Sequence, residues 1–347
     1  MVRSMKVAVM TAKGKMGFET RSTPVPGPYE VLVKLEYVGI CGSDLHYYEN
    51  GAIGDYVVKP PFVLGHEAAG KVVQIGEKVR HLRYGDRVAL EPGKTCGKCE
   101  YCKQGKYNLC PDVVFFATPP VDGVFQEYVA HPEDLCFRLP DNMGTLEGAL
   151  IEPLAVGFHA AITGGARIGQ TALVMGAGCI GLVSMMALKA MGVSHVYVSD
   201  VLDNRLQKAK ELGAAVVLRP AEEEVPAVVE WLTHGRGVDL TIDTTGSDEA
   251  LKLAVDCSKK GATITMVGYS KSGDITLPLG KMLDKELTLK TIFRYRHIYP
   301  LAIQAVSDGK VNLKGLVTKV FDLDDIQEAM DQSVRNKAEI VKSVVRI

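Results

Sequence analysis

Two groups of metal-binding residue types stand out in this sequence. Cys96, Cys99, Cys102 and Cys110 follow one another at spacings of three, three and eight. Four thiolates so placed can close a tetrahedron around zinc and leave no position for a substrate, which is the chemistry of a structural site. Gly97, Lys98 and Gly105 among them suit a tight loop whose backbone N–H groups can approach the sulfurs. The second group is dispersed: Cys41-Gly-Ser-Asp-Leu-His46, then Gly65-His66-Glu67, then Glu152-Pro153. Singly each is weak, because buried cysteines and solvated His–Glu neighbours are common. Together they supply a thiolate, an imidazole and a carboxylate for a zinc site that keeps one position open. A hydroxyl bound there would have its pKa lowered, and its carbon would release hydride more readily.

An acceptor for that hydride is also legible. Thr171-Ala-Leu-Val-Met reads as a short buried strand, and Gly176-Ala-Gly178-Cys-Ile-Gly181 opens an apolar helix behind it. Strand before and helix after turn a weak glycine pattern into a dinucleotide fingerprint. Gly176 allows the tight turn, Gly178 lets the backbone approach a pyrophosphate, and Gly181 lets helix pack on strand. The helix N-terminus adds free N–H groups and a positive dipole end. Asp200 follows Gly181 by nineteen residues, at the end of His195-Val-Tyr-Val-Ser. A carboxylate there accepts from both ribose hydroxyls and repels a 2′-phosphate, which favours NAD over NADP; Arg205 nearby is of the type that could serve a phosphate instead.

The elements that must position these residues fall into two styles. The first 150 residues carry strand-like runs at Val31–Val38, Gly70–Ile75 and Arg87–Leu90, bounded by turns such as Pro26-Gly27-Pro28. From about residue 165 strands alternate with helices: Thr171–Met175, a helix to Met191, His195–Ser199, a helix from Arg205 to Leu212, Ala215–Leu218, Val238–Asp243 and Ala262–Val267. That alternation implies a parallel sheet with helices on both faces. Further helices are expected near Pro300–Asp308 and Asp325–Ser333. A chain of 347 residues exceeds one ordinary domain, so about two are expected.

Composition narrows the function. Hydrophobic residues make up 47% and the formal net charge is −1, which suits a globular enzyme and gives no reason to expect nucleic acid or an anionic membrane surface. Lys94, Lys98, Lys103 and Lys106 around the four cysteines would suit a zinc module for nucleic acid, but the charge balance and the dinucleotide fingerprint argue against it. The uncharged run Ile168–Leu188 has the length of a membrane span, yet its glycines suit a buried strand, turn and helix. Met1–Met10 reads as the start of a strand and not as a secretion signal. Eight cysteines, four of them within fifteen residues, point to metal-bound thiolates in a reducing, cytoplasmic compartment.

The chain resembles the medium-chain zinc alcohol dehydrogenases, and among them the sorbitol (L-iditol) and xylitol dehydrogenases. The resemblance rests on Val38-Gly-Ile-Cys41-Gly-Ser-Asp-Leu-His46-Tyr47, Leu64-Gly-His66-Glu67, Tyr107-Asn-Leu-Cys110-Pro, Ala117-Thr-Pro-Pro-Val-Asp-Gly, Leu150-Ile-Glu152-Pro-Leu and Ile292-Phe-Arg294-Tyr295. These stretches run through almost the whole sequence, and the last three are characteristic of the polyol branch.

The resemblance implies an α/β protein with a GroES-like β-rich catalytic domain, residues 1–153 with 294–347, carrying a structural zinc lobe at about 91–112. It implies a Rossmann NAD-binding domain, a doubly wound parallel sheet, at 154–293, and a homotetramer. Cys41, His66 and Glu67 would hold the catalytic zinc, with Glu152 on the bound water or substrate, or exchanging into the metal shell. Tyr47, Arg294 and Tyr295 would meet the polyol hydroxyls, with Phe115 as an apolar wall, and Ser43 and His46 would pass the alcohol proton to solvent. Ile180, Asp200, Arg205, Val267, Gly268, Tyr269, Ile292, Phe293 and Arg294 would line the cofactor, with Gly176, Gly178 and Gly181 at its phosphates. The implied reaction is oxidation of a polyol's secondary alcohol, of sorbitol, xylitol or a similar substrate, to the ketose with reduction of NAD. A threonine or butanediol dehydrogenase with the same zinc chemistry is the nearest alternative. After Tyr295 the sequence departs from many relatives, reading Arg296-His297-Ile298-Tyr299-Pro300, so the particular polyol stays open.

Overall fold

A computed structural model describes residues 4–270 and 273–347; the first three residues of the expected N-terminal strand lie outside them. Strand Ser4–Ala12 pairs antiparallel with Lys15–Ser22. The chain divides into two compact units. The first comprises Met1–Glu152, Tyr299–Ser307 and Val317–Ile347; the second comprises Pro153–Ile298 and Asp308–Leu316.

The first unit is built on a seven-stranded sheet. Its order runs Cys136–Arg138, Arg87–Leu90, Glu67–Ile75, Glu30–Gly39, Ser343–Arg346, Lys319–Asp322, with Tyr128–Pro132 also paired to Glu30–Gly39. Glu30–Gly39 is central because its sequence supplies what a two-sided strand needs. Val31, Val33, Leu35 and Val38 are fully buried, while Lys34 stays exposed. Glu67–Ile75 lies beside it, and Gly39 faces Glu67 across the ladder. On its other side Val344 pairs with Gly39 and Val345 with Val38, so the C-terminal strand joins the N-terminal sheet. The apolar core of this unit includes Met10, Leu64, Leu90 and Phe125.

The second unit is a six-stranded parallel sheet in the order Val216–Leu218, His195–Ser199, Thr171–Met175, Val238–Asp243, Ser258–Met266, Thr288–Thr291. In chain order this is 3-2-1-4-5-6, the doubly wound arrangement of dinucleotide-binding domains. The strands alternate with helices Cys179–Ala190, Asp203–Glu211, Val225–Leu232 and Asp248–Cys257. The fifth strand begins at Ser258, earlier than its apolar run, because Ser258 pairs with Val238 through a register shift that carries Lys259, Lys260 and Gly261 into the strand. The run Ile168–Leu188 divides between Thr171–Met175 and the helix Cys179–Ala190, and no helix among the described residues is long and apolar enough to cross a membrane.

Candidate metal and dinucleotide sites

Among the described residues two clusters of metal-ligand type occur: Cys96, Cys99, Cys102, Cys110; and Cys41, His66, Glu67. Within each, the donor atoms lie within 4.8 Å of one another. All eight cysteines are free thiols.

The four-cysteine lobe is a loop wound around its sulfurs. Cys99 caps the short helix Glu100–Lys103, and Gly97 and Gly105 take the left-handed turns. Backbone amides point at sulfur throughout: Cys96 N to Cys110 Sγ at 3.4 Å, Cys99 N to Cys96 Sγ at 3.3 Å, and Cys102 N to Cys99 Sγ at 3.4 Å. The amides of Lys98 and Cys99 bring the Cys96 thiol down to about 7. Such a nest stabilises thiolates, the form that binds a metal. Four sulfur donors within mutual reach are the set that closes a tetrahedron around zinc.

The second cluster is assembled by the ends of two strands and one helix. Cys41 is the N-cap of the helix Gly42–Asn50, directly beyond strand Glu30–Gly39. His66 and Glu67 enter the neighbouring strand Glu67–Ile75, which brings them beside Cys41. His66 is 7% exposed and Glu67 1%. Gly39 is required here: a Cβ on it would overlap the Glu67 carboxylate. The helix is held from behind by Tyr48, whose hydroxyl bonds Asp331 Oδ1 at 2.8 Å and accepts from Gln327 Nε2 at 2.6 Å.

The charge of this pocket fits a divalent cation. Burial opposes a charged imidazole at His66, but Cys41, Asp44 and Glu152 outweigh it and raise its pKa well above the usual range. A thiolate, an imidazole and a carboxylate within mutual reach form a zinc donor set that leaves a fourth position free. Glu152, in the first turn of the helix Ile151–Gly164, is buried near His66 but lies outside the 4.8 Å cluster.

Asp44, Lys342 and Glu91 belong to this neighbourhood, although their sequence contexts do not single them out for it. Asp44 is fully buried and accepts the Cys41 amide on Oδ2 at 2.9 Å and the Gly65 amide on Oδ1 at 2.9 Å. Its signal is local: an acid at the third position of a helix whose N-cap is Cys41. Lys342 lies against Glu67 Oε2 and has no local signal at all, since only the sheet topology brings it there. Glu91 accepts the Tyr107 hydroxyl at 2.7 Å; burial pushes its pKa up to about 7, and the charges of Glu152 and Asp134 add to this.

The remaining expected residues divide between the units. Phe115 tilts over His66 with ring centroids 5.8 Å apart, and Tyr47 is buried on the helix after Cys41. Ser43 is half-buried and His46 exposed, its Nδ1 3.2 Å from Asn50 Nδ2. Arg294 and Tyr295 belong to the second unit, in the segment after strand Thr288–Thr291. Arg294 and His297 both take left-handed backbone angles, φ 53° and 55°, which non-glycine residues adopt at a cost.

In the second unit the glycine turn has the form a pyrophosphate needs. Gly176 takes φ 93°, a Cβ on Gly181 would overlap the Gly176 carbonyl oxygen, and a Cβ on Gly178 would point into open space, its nearest neighbour Arg205 Nη1 at 3.8 Å. The cradle therefore fits a dinucleotide, with Gly178 leaving backbone accessible. Asp200 closes the turn by accepting the Ala177 amide at 2.6 Å and the Leu202 amide at 2.9 Å, and Arg205 Nη1 stands 3.9 Å from it. Val267 and Gly268 donate to Asp243 O beside the turn, at 2.8 and 3.2 Å, Tyr269 is exposed, and Ile292 donates to Met266 O at 3.2 Å. Ile180 is half-buried in the first turn of the helix, and Phe293 stacks against its own neighbour Arg294 at 4.7 Å.

Residues 27–141 match the alcohol dehydrogenase GroES-like domain family and residues 179–308 the zinc-binding dehydrogenase family. The chain is 43% identical to a sorbitol dehydrogenase of Bacillus subtilis, over 99% of this chain and 97% of that one. Among solved structures it is similar to an Escherichia coli oxidoreductase of unknown specificity, at 42% identity and TM-score 0.95, with 99% of each chain covered. It is also similar to the 2R,3R-butanediol dehydrogenase of Bacillus subtilis, at 35% identity and TM-score 0.90, again over 99% of each chain. The chain thus belongs to the zinc-dependent medium-chain alcohol dehydrogenases, in their sorbitol dehydrogenase branch.

Proposed function

We propose that this enzyme oxidises a secondary alcohol of a polyol such as sorbitol or xylitol to the ketose, transferring hydride to NAD. The observation that carries the reading is the cluster of half-buried Cys41 with buried His66 and Glu67, whose donor atoms lie within 4.8 Å of one another in surroundings that favour positive charge. Similarity to a sorbitol dehydrogenase over nearly the whole chain supports the substrate class.

Cys41, His66 and Glu67 would hold the zinc, with Glu152 on the bound water or substrate, or exchanging into the metal shell. Bound there, zinc acts as a Lewis acid that makes an alcohol oxygen more acidic. Ser43 and His46 carry the released proton outward; His46, being exposed, can hand it to solvent. Tyr47, Arg294 and Tyr295 orient the polyol, since several hydroxyls need charged and phenolic partners to be told apart. Phe115 keeps an apolar wall beside His66. Gly176, Gly178 and Gly181 cradle the pyrophosphate and Asp200 meets the adenosine ribose, which selects NAD. Cys96, Cys99, Cys102 and Cys110 hold a second, structural zinc. The enzyme works as a cytoplasmic homotetramer on a small polyol.

Initial rates on sorbitol, xylitol, galactitol, L-arabinitol and L-threonine, each with NAD and NADP, test the reading. A polyol with NAD is expected to give the highest kcat/KM. The 35% identity to a butanediol dehydrogenase makes 2,3-butanediol the pertinent competitor, and higher kcat/KM on butanediol or threonine than on every polyol would overturn the assignment.

A further inference from the structure

Lys342 is 2% exposed, an unusual place for an ammonium. It stands immediately before the strand Ser343–Arg346, and its backbone is fixed on both sides by Thr318: Thr318 N donates to Lys342 O at 2.9 Å, and Lys342 N donates to Thr318 Oγ1 at 3.2 Å. The side chain runs inward. Its Nζ donates to the carbonyl of Ile40, the residue before Cys41, at 2.9 Å, and lies in ionic contact with Glu67 Oε2. That oxygen makes no hydrogen bond of regular geometry, so the ion pair is what occupies it. On its other flank the carboxylate fills the space where Gly39 lacks a side chain.

We propose that Lys342 is the positioning residue for Glu67. By pairing with Oε2 it leaves Oε1 as the oxygen free to donate, and so limits Glu67 to one-oxygen binding of the metal. It also offsets one of the negative charges that converge here from Cys41, Asp44, Glu67 and Glu152. A buried carboxylate without its cation would turn, recruit water or draw both oxygens onto the metal. The inference rests on the cluster of Cys41, His66 and Glu67 being the zinc site.

The test is zinc affinity, measured on the full-length enzyme by competition with a chromophoric chelator, for wild type, Lys342→Met, Lys342→Gln, Glu67→Gln and the double variants. Lys342→Gln keeps a donor for the Ile40 carbonyl and so guards against a variant that merely fails to fold. The four-cysteine zinc serves as the internal reference. Both Lys342 variants are expected to lose about 10- to 100-fold in affinity at the Cys41 site alone, the range for residues that orient metal ligands. In the Glu67→Gln background the same changes are expected to matter less than about twofold, because the partner through which Lys342 acts has lost its charge. Cobalt in place of zinc should show visible bands that move on Lys342→Gln in the wild-type background and stay fixed in the Glu67→Gln background. Wild-type affinity in folded Lys342→Gln, or an equal loss in both backgrounds, would overturn the proposal while leaving the metal site intact. A wild-type chain that takes up a single zinc, on its four cysteines, would overturn the site assignment and this inference with it.

Discussion

Asp44 Oδ1 lies 3.8 Å from His66 Nδ1 while both of its oxygens accept backbone amides, from Cys41 and Gly65. One buried carboxylate thus holds the backbone at Cys41 and at Gly65, the residue before His66. Burial pushes its pKa up, and the amides and His66 push back. Geometry of this kind fixes which way an imidazole faces.

Replacing Asp44 with Asn keeps an acceptor for one amide but removes the charge that faces His66. The variant is expected to fold, to lose roughly 10- to 100-fold in zinc affinity or in kcat/KM, and to keep its four-cysteine zinc. Metal analysis alongside steady-state kinetics checks this; unchanged kinetics with unchanged zinc would remove Asp44 from the site.

Asp200→Ala removes the carboxylate beside the glycine turn and frees Arg205, now 3.9 Å from it. The ratio of kcat/KM with NAD to that with NADP is expected to fall about tenfold or more, since a like charge against a 2′-phosphate costs upward of ~1.4 kcal/mol. A ratio that does not move would exclude Asp200 from cofactor choice.

Cys99→Ser is expected to lower zinc content by one ion per chain and the unfolding midpoint by about 5–10 °C, while folded protein at low temperature still turns over. Loss of turnover without loss of zinc would contradict a purely structural lobe.

His131 gives a pH dependence with a definite sign. Its Nε2 donates to Glu91 O at 2.8 Å, and burial lowers its pKa to about 4, with Lys94 adding to the effect and the Glu91 bond opposing it. A histidine depressed in the folded state stabilises the fold above its unfolded pKa of about 6.5 and loses that stabilisation as pH falls toward 4. The drop from 6.5 to about 4 corresponds to roughly 3 kcal/mol. Urea midpoints from pH 7.5 to 4.5 should fall less steeply for His131→Gln than for wild type; parallel curves would show that His131 is not the group responsible.

What the sequence makes legible is what lies close together in it. Gly176, Gly178, Gly181 and Asp200 span one strand–helix–strand unit, so their relation is local and the parallel sheet follows from the alternation around them. Cys96 to Cys110 close a single loop. Strand Thr288–Thr291 is not visible, because a short edge strand with exposed Thr288, Lys290 and Thr291 carries no apolar alternation. Lys342 is invisible for a different reason: nothing near it in sequence tells that its strand pairs with Gly39 and Val38. The metal motifs name Cys41, His66 and Glu67, but the charge that steadies them comes from a distance that periodicity does not measure.

The pairing of Val344 with Gly39 also sets an order of events during synthesis. The strand that receives it is made early, and the whole dinucleotide-binding sheet is translated before the strand that completes it. Until then the Tyr37–Gly39 end of the strand presents an open hydrogen-bonding edge, and Glu67 waits without its cation. Long-range closure of this sort is slow and leaves nascent chains prone to mispairing. Production at reduced temperature, where translation and aggregation both slow, should therefore raise the yield of zinc-loaded enzyme more than that of total chain.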